Sequence, residues 1–296
     1  MKKILIVALA LLAAAVGIIV IKFGSTGRDP RTEPVEASDS STSVPDGNTA
    51  KPLASLIAQR KLDPTVVQQV GSRAFVVSRD GAFRPSGDAK DFILSRISAS
   101  DAGDSIATYE IYLAALDCRN AGSPGELQSA ALLPSKSEQQ GALESSETRL
   151  KECSSLLKDS SLSPPGKWLI KAARQGSIEA MLLYATDTES AFGGSSAAIQ
   201  NPEAVAEWKT DADSFLNAAA SQGSVDALVA LGRANANGII VKKNPTEALA
   251  YYLAAKRAMP SAFSEKLLGM YQKELSAAEQ QAAIRRADAI YKNCCQ

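Results

Sequence analysis

Residues 168–180 read Trp-Leu-Ile-Lys-Ala-Ala-Arg-Gln-Gly-Ser-Ile-Glu-Ala, and residues 215–227 read Phe-Leu-Asn-Ala-Ala-Ala-Ser-Gln-Gly-Ser-Val-Asp-Ala. The two stretches share a large aromatic residue, a leucine, an alanine pair, Gln-Gly-Ser, an aliphatic residue, an acid and a final alanine. A third copy begins at Tyr251-Tyr252-Leu-Ala-Ala. Repetition of this pattern along the chain predicts an array of helical hairpins, in which neighbouring hairpins bury each other's apolar faces.

The recurring positions have structural roles in such an array. The aromatic residues are expected to pack across each helix pair, and the alanines allow the helices to approach closely. A glycine with positive φ is expected to end the first helix, so that the following serine can cap the second. We therefore assign these residues to the repeat core rather than to ligand binding. The core positions are Trp168, Gly176, Phe215, Gly223, Gly232, Tyr251 and Tyr252.

The distance along the chain from the first copy to the second is longer than the distance from the second copy to the third. The extra residues fall in a stretch rich in glycine, serine and alanine, from Ser190 to Gln200. This composition predicts a loop insertion between the first two copies. In the third copy, Pro260 takes the place of the glycine that interrupts the helix pair in the other two.

The pattern resembles the Sel1-like repeats, which are relatives of the tetratricopeptide repeats (TPR-like). The resemblance covers Pro164 to Tyr291, and Asn244 stands where that family usually has aspartate. It implies an all-α solenoid (α-solenoid) whose concave face binds proteins or peptides, and it implies no catalytic residue set. The best copy reads Ala227, Leu231-Gly232, Ala236-Asn237-Gly238-Ile239-Ile240, Asn244, Ala248, Tyr251-Tyr252 and Ala254-Ala255, and a degenerate copy surrounds Leu267-Leu268-Gly269-Met270-Tyr271.

Residues 53–162 are predicted to form an additional N-terminal helical region of five or six helices, before the helical repeats at residues 163–296. One short run, Ala74 to Val77 followed by Asp80-Gly81, is also compatible with a strand that enters a turn. Capping patterns predict several helix starts across both regions. These are Ser123 with Glu126, Ser276 with Glu279, Asn201-Pro202 and Asn244-Pro245.

The N-terminus predicts export. Two lysines precede an unbroken apolar run from Ile4 to Ile21, so residues 1–23 form either a signal peptide or a single transmembrane anchor. Cleavage after the small residues within the run would leave Ile18 to Ile21 as a bare apolar end, which favours an uncleaved anchor. Residues 24–52 are rich in proline, serine and threonine and are predicted to be a disordered linker. The expected location is the periplasm, tethered to the inner membrane, or soluble in the periplasm or secreted if the signal is cleaved.

The cysteines fit an oxidising compartment. Cys118 and Cys153 are the favoured disulfide pair, and buried free thiols are the alternative. Pairing of Cys294 with Cys295 is disfavoured, because a ring between neighbouring cysteines is strained. A zinc site is disfavoured as well, because the chain has neither a CxxC spacing nor a histidine.

The composition excludes common chemistry. The chain has no histidine, which removes imidazole-based catalytic triads and histidine metal sites. Its 32 basic and 32 acidic residues balance, so it lacks the basic excess typical of nucleic-acid binding. No cofactor or metal site is predicted. Ser155 and Lys158 form an S-x-x-K pattern, which places a nucleophile and a base on one helix face as in penicillin-binding enzymes, but the companion motifs of those enzymes are missing.

Together these features predict a non-enzymatic helical repeat protein, exported or membrane-tethered, that acts as a protein–protein interaction adaptor in the bacterial cell envelope. The expected partners are a protein or peptide, and the membrane itself through residues 4–21 if the anchor is retained. One alternative is an envelope enzyme acting on peptidoglycan or β-lactams through Ser155 and Lys158. Another is a structural helical domain that dimerises through Cys294 or Cys295.

Overall fold

The computed structural model describes residues 53–79 and 82–296, which are mostly α-helical. The all-α class expected from the sequence is thus confirmed in its coarse form. The predicted signal or anchor at residues 1–23, the linker at residues 24–52 and the dipeptide Asp80-Gly81 lie outside the described residues. Within the described part of the chain, no helix combines the length and the apolar character that crossing a membrane requires.

The described residues of the N-terminal half form five helices and one β-hairpin. Its elements are α1 (Leu53–Ala58), β1 (Val67–Gln69), β2 (Phe75–Val77), α2 (Ala89–Asp101), α3 (Ser105–Asn120), α4 (Pro124–Ala131) and α5 (Lys136–Leu157). The second half is helical throughout. Its elements are α6 (Pro165–Arg174), α7 (Ile178–Tyr184), α8 (Thr188–Phe192), α9 (Gly194–Gln200), α10 (Pro202–Ser221), α11 (Val225–Asn237), α12 (Pro245–Ala258), a 3₁₀ turn (Pro260–Ala262), α13 (Glu265–Lys273) and α14 (Ala277–Cys294).

The run at Ala74 to Val77 does form a strand. It pairs antiparallel with β1, with Val67 opposite Val77 and Gln69 opposite Phe75. The Phe75 side chain is fully buried, which anchors the hairpin on the helices.

The two Gly-Ser junctions of the repeat share one geometry. Gly176 and Gly223 have φ values of 95° and 100°, a backbone conformation that favours glycine. The hydroxyls of Ser177 and Ser224 then accept hydrogen bonds from backbone amides one turn into α7 and α11. Each junction therefore reverses the chain between two packed helices.

The prediction of a loop between the first two copies was wrong. Residues of the Ser190 to Gln200 stretch form the end of α8 and all of α9. Asp187 caps α8 by accepting from the Ser190 amide, and Gly193, with φ of 87°, joins the two short helices. Serine and alanine tolerate a helix well once a cap and a glycine joint define its ends.

One hydrophobic core runs through both halves. α3 packs against α2 and α6, α11 packs between α10 and α12, and α12 also packs against α14. The fully buried side chains include Tyr112 in α3, Leu169 in α6 and Tyr252 in α12. The boundary expected between residues 162 and 163 lies within this continuous packing.

The segment around the β-hairpin binds both Gly-Ser junctions. At the first junction, the Ile178 amide donates to the Lys61 carbonyl over 3.0 Å. At the second, the Phe75 amide donates to the Gly223 carbonyl over 3.0 Å, and the Val77 amide donates to Asp226 over 2.8 Å. The segment around the hairpin thus makes backbone contacts at both Gly-Ser junctions.

Candidate docking site

An apolar pocket of about 270 Å³ opens between α10, α11 and the segment that joins α7 to α8. This volume is slightly below the roughly 300–1,000 Å³ of typical small-molecule sites. It suits one anchoring side chain of a partner better than a whole cofactor. The pocket is lined by Ala185, Thr186, Thr188, Trp208, Leu216, Ala230, Arg233, Ala234, Asn237, Ile239 and Ile240.

Trp208 forms the α10 side of the pocket and is held rigidly. Its indole Nε1 donates to the Tyr184 carbonyl over 2.9 Å, and the Phe192 ring packs against it with centroids 5.2 Å apart. The Leu216 side chain, two turns further along α10, is fully buried. The wall is therefore preformed, because a bound partner does not have to order these side chains.

The α11 side of the pocket is made by small residues. Ala230 and Ala234 lie one turn apart, so their methyl groups leave the space that forms the pocket. Gly238, with φ of 73°, ends α11 and turns the chain back. The next residue, Ile239, is 57% exposed at the pocket.

The rim of the pocket is polar, whereas its interior is apolar. Arg233, Thr186 and Asn237 supply a cation, a hydroxyl and an amide. Arg233 is exposed, and none of the ion pairs within residues 53–79 and 82–296 engages its guanidinium. An apolar centre with a polar rim is the anatomy of protein-binding surfaces.

None of the predicted core positions is among the residues that line this pocket. Trp168 Nε1 donates to the Leu162 carbonyl over 2.9 Å, and Phe215 packs edge-on against Tyr184. Burial, together with the charges of Asp211 and Glu207, raises the pKa of Tyr184 to about 12, so its hydroxyl stays protonated at neutral pH.

The pocket-lining residues were missed at the sequence level. The one pattern that indicates the pocket is the pair Ile239-Ile240, two aliphatic residues directly after the helix-ending Gly238. The remaining lining residues come from α10, α11, the start of α8 and the connection between α7 and α8, so their proximity depends on tertiary packing.

The favoured disulfide is present. Cys118 in α3 and Cys153 in α5 lie at bonding distance, with their Cα atoms 5.3 Å apart. Cys294 and Cys295 are also paired with each other, contrary to the expectation from ring strain. Both of these cysteines are buried at the end of α14, where the chain packs against the hairpin and the Ser72 hydroxyl donates to the Cys295 carbonyl over 3.1 Å. Packing of the chain end therefore accommodates the vicinal ring.

A second cavity, of about 670 Å³, lies beside the Cys118–Cys153 disulfide, and its charges are already paired. The buried Arg84 guanidinium donates to Glu152 over 2.8 Å and lies 3.3 Å from Asp117. Arg149 binds the other Asp117 oxygen over 3.3 Å. The Gly87 amide and Arg84 lower the pKa of Glu152 below its usual value. These groups stabilise each other and the disulfide region.

The only group of potential metal ligands among the described residues is Asp117 with Cys118 and Cys153, within 4.8 Å of one another. The two sulfur atoms are bonded to each other, so neither offers a thiolate. This grouping fits a disulfide and does not fit a metal ion.

Ser155 and Lys158 lie at the end of α5. The Ser155 hydroxyl donates to the carboxylate of Asp88, the residue that caps α2, over 2.7 Å. This bond lowers the pKa of Asp88 below its usual value. Lys158 is exposed at the C-terminal cap of α5. In this arrangement, the serine ties two helices together.

Comparison of the chain with protein-family models, with curated proteins and with solved structures finds no match.

Proposed function

We propose that this protein is a non-enzymatic adaptor of the cell envelope, whose Sel1-like helical repeats dock a partner protein or peptide. The observation that carries the proposal is the preformed apolar pocket between α10 and α11, with Ile239 exposed beside it. The residues that line the pocket include no carboxylate, cysteine or lysine. Its chemistry is suited to recognition.

The rim defines the chemistry of the partner. Burying one Leu, Ile or Phe side chain supplies about 1.5–3 kcal/mol, which makes the pocket an anchor for a single apolar residue. The Arg233 guanidinium at the rim favours a carboxylate next to that residue. The expected ligand is a peptide segment with one bulky apolar side chain beside an acidic side chain or a C-terminal carboxylate.

The location proposed is the periplasmic side of the inner membrane, with residues 4–21 as the anchor. The pairing of Cys118 with Cys153 supports it, because disulfides persist in oxidising compartments. The same disulfide supports the cleaved form, in which the domain would be free in the periplasm or secreted.

Selection from a displayed library of random peptides, with the full-length chain as bait, tests the docking site. We expect enrichment of a bulky apolar residue within a few positions of an acid. Ile239→Asp should weaken binding of the selected peptides about tenfold or more, since it puts a charge beside the apolar anchor. Arg233→Glu should change the preferred neighbour from an acid to a base.

Ile199→Asp is the matched control. Ile199 is 87% exposed on α9 and lies outside the lining of the pocket. This variant should select the same peptides with unchanged affinity. The proposal fails if no motif is enriched, or if Ile239→Asp and Ile199→Asp affect binding equally.

A further inference from the structure

A row of exposed leucines runs along α5. Leu143, Leu150 and Leu157 lie seven residues apart and are 49%, 41% and 48% exposed. Seven-residue spacing puts all three on one helix face, spread over about 21 Å. We call these three residues the leucine stripe.

The leucine stripe borders the face that α5 packs against the fold. That face is formed by Ser146, Cys153 and Leu156, which are buried. Leu150 also lies over Gly122, whose ideal Cβ position is 2.9 Å from the nearer Leu150 methyl group. The leucine stripe thus contacts the fold along one edge and is otherwise exposed to solvent. Its seven-residue spacing is that of an interface between two helices.

Charges beside the stripe change sign at its centre. Glu144 and Glu147 precede Leu150, whereas Lys151 and Lys158 follow it. Because an α-helix turns about 100° per residue, all four side chains fall on the same side of the stripe. All four are exposed, and Glu147 pairs with Lys151 within the helix over 2.9 Å.

This pattern distinguishes two ways of pairing α5 with a second α5. A parallel two-fold pair would place the charged side of each stripe opposite the side of the other helix that packs on the fold, so these charges would not pair with each other. An antiparallel pair would place the acidic half of each helix beside the basic half of the other. The charges therefore complement a second copy of this chain in the antiparallel arrangement.

We propose that the protein forms a two-fold symmetric dimer through the leucine stripe, with two α5 helices packed antiparallel. Leu150 meets its own counterpart at the symmetry axis, and Leu143 meets Leu157 of the other chain. Glu144 and Glu147 lie beside the lysines of the partner helix. The interface is separate from the α10–α11 pocket, so the dimer carries two docking sites and its existence does not depend on the docking function.

Cysteine cross-linking of the full-length chain in mild detergent tests the arrangement. All four native cysteines are paired, so a mild oxidant acts only on the added thiols. Leu150→Cys alone should form a covalent dimer on non-reducing gels. Leu143→Cys alone and Leu157→Cys alone should not, but an equimolar mixture of the two should. Ile199→Cys, exposed on α9, gives the background level.

Two results would overturn the proposal. If Leu143→Cys and Leu157→Cys each cross-link alone as well as Leu150→Cys does, the helices pair in parallel. If no variant exceeds the Ile199→Cys background, the stripe is not a dimer interface.

Charge reversal provides a second measurement that leaves the leucines intact. E144K/E147K carries only lysines beside the stripe, and K151E/K158E carries only glutamates there. Each variant alone should dissociate at concentrations where the unmodified protein is dimeric by light scattering, with circular dichroism confirming that it is folded. An equimolar mixture should restore the dimer mass. Unchanged dimerisation of the single variants, or a mixture that stays monomeric, contradicts the antiparallel charge pairing.

Discussion

Gly232 determines how closely α11 approaches α12. A Cβ atom at this position would lie 2.3 Å from the ring of Tyr252, which is 1% exposed and held between Phe263 and Tyr271 with centroids 4.7 Å away. Gly232→Ala should therefore lower the free energy of unfolding by about 1–3 kcal/mol, as overpacked core sites do. Urea denaturation followed by circular dichroism measures this change.

Gly269 provides the control, since it follows a leucine within α13 as Gly232 does within α11. An ideal Cβ there meets no atom within 4 Å. Gly269→Ala should stabilise the protein by about 0.5–1 kcal/mol, because alanine has the better helix propensity. Equal effects of the two substitutions would show that backbone entropy, rather than the Tyr252 contact, accounts for the change in the free energy of unfolding in Gly232→Ala.

Asp226 contributes to a pH dependence of stability. Burial raises the pKa of its carboxyl above the usual value, against the opposing hydrogen bond from the Val77 amide. A raised folded-state pKa means that the folded protein binds the proton more tightly than the unfolded chain. The contribution of Asp226 is therefore most favourable at low pH and declines as the pH rises through the raised pKa.

Asp226→Asn should keep an oxygen acceptor for the Val77 amide without burying a charge. Its stability relative to the unmodified protein should thus be greater at roughly pH 7 than at roughly pH 3, which lies below the usual pKa of an aspartate. Asp226→Ala leaves the Val77 amide without its acceptor and should cost about 1–3 kcal/mol. Urea denaturation at both pH values separates these effects, and an asparagine variant as unstable as the alanine variant would show that the carboxylate charge itself is stabilising.

At the scale of elements, the helix starts were the most predictable features, because a cap uses residues within one turn. Asn201 and Asn244 cap α10 and α12, and Ser276 with Glu279 forms the capping box of α14. Ser123 caps α4 as expected, but the Glu126 carboxylate binds the Gly122 amide instead of the Ser123 amide. Local sequence thus predicts reliably where a helix begins. It predicts less reliably which backbone amide a side chain at that end binds.

Elements that depend on distant partners were not predictable to the same degree. Strand β2 was considered from its own residues, but its pairing with β1 and its bond to Gly223 have no local pattern. The docking pocket is similar, because Trp208 and Ile239 become neighbours only after α10 and α11 pack. Backbone amides and carbonyls make many of these long-range contacts, and every residue type has them.

At the scale of the whole molecule, the two cysteine pairs differ in how much chain each constrains. Cys118–Cys153 joins α3 to α5 across 35 residues, whereas Cys294–Cys295 joins neighbours. Closing a loop of the first size stabilises a fold by about 3–4 kcal/mol through the entropy of the unfolded chain. A bond between adjacent residues removes far less of that entropy.

Cys118→Ala/Cys153→Ala should therefore lower the free energy of unfolding by about 3–4 kcal/mol in urea denaturation under non-reducing conditions. Cys294→Ala/Cys295→Ala is the matched control, because it also removes two buried sulfur atoms but releases almost no loop. It should cost clearly less than the first pair. If both variants lose the same stability, packing of the sulfur atoms outweighs the cross-link. If neither variant loses stability, the covalent link between α3 and α5 adds nothing to the contacts that already hold α5 against α2 and α3.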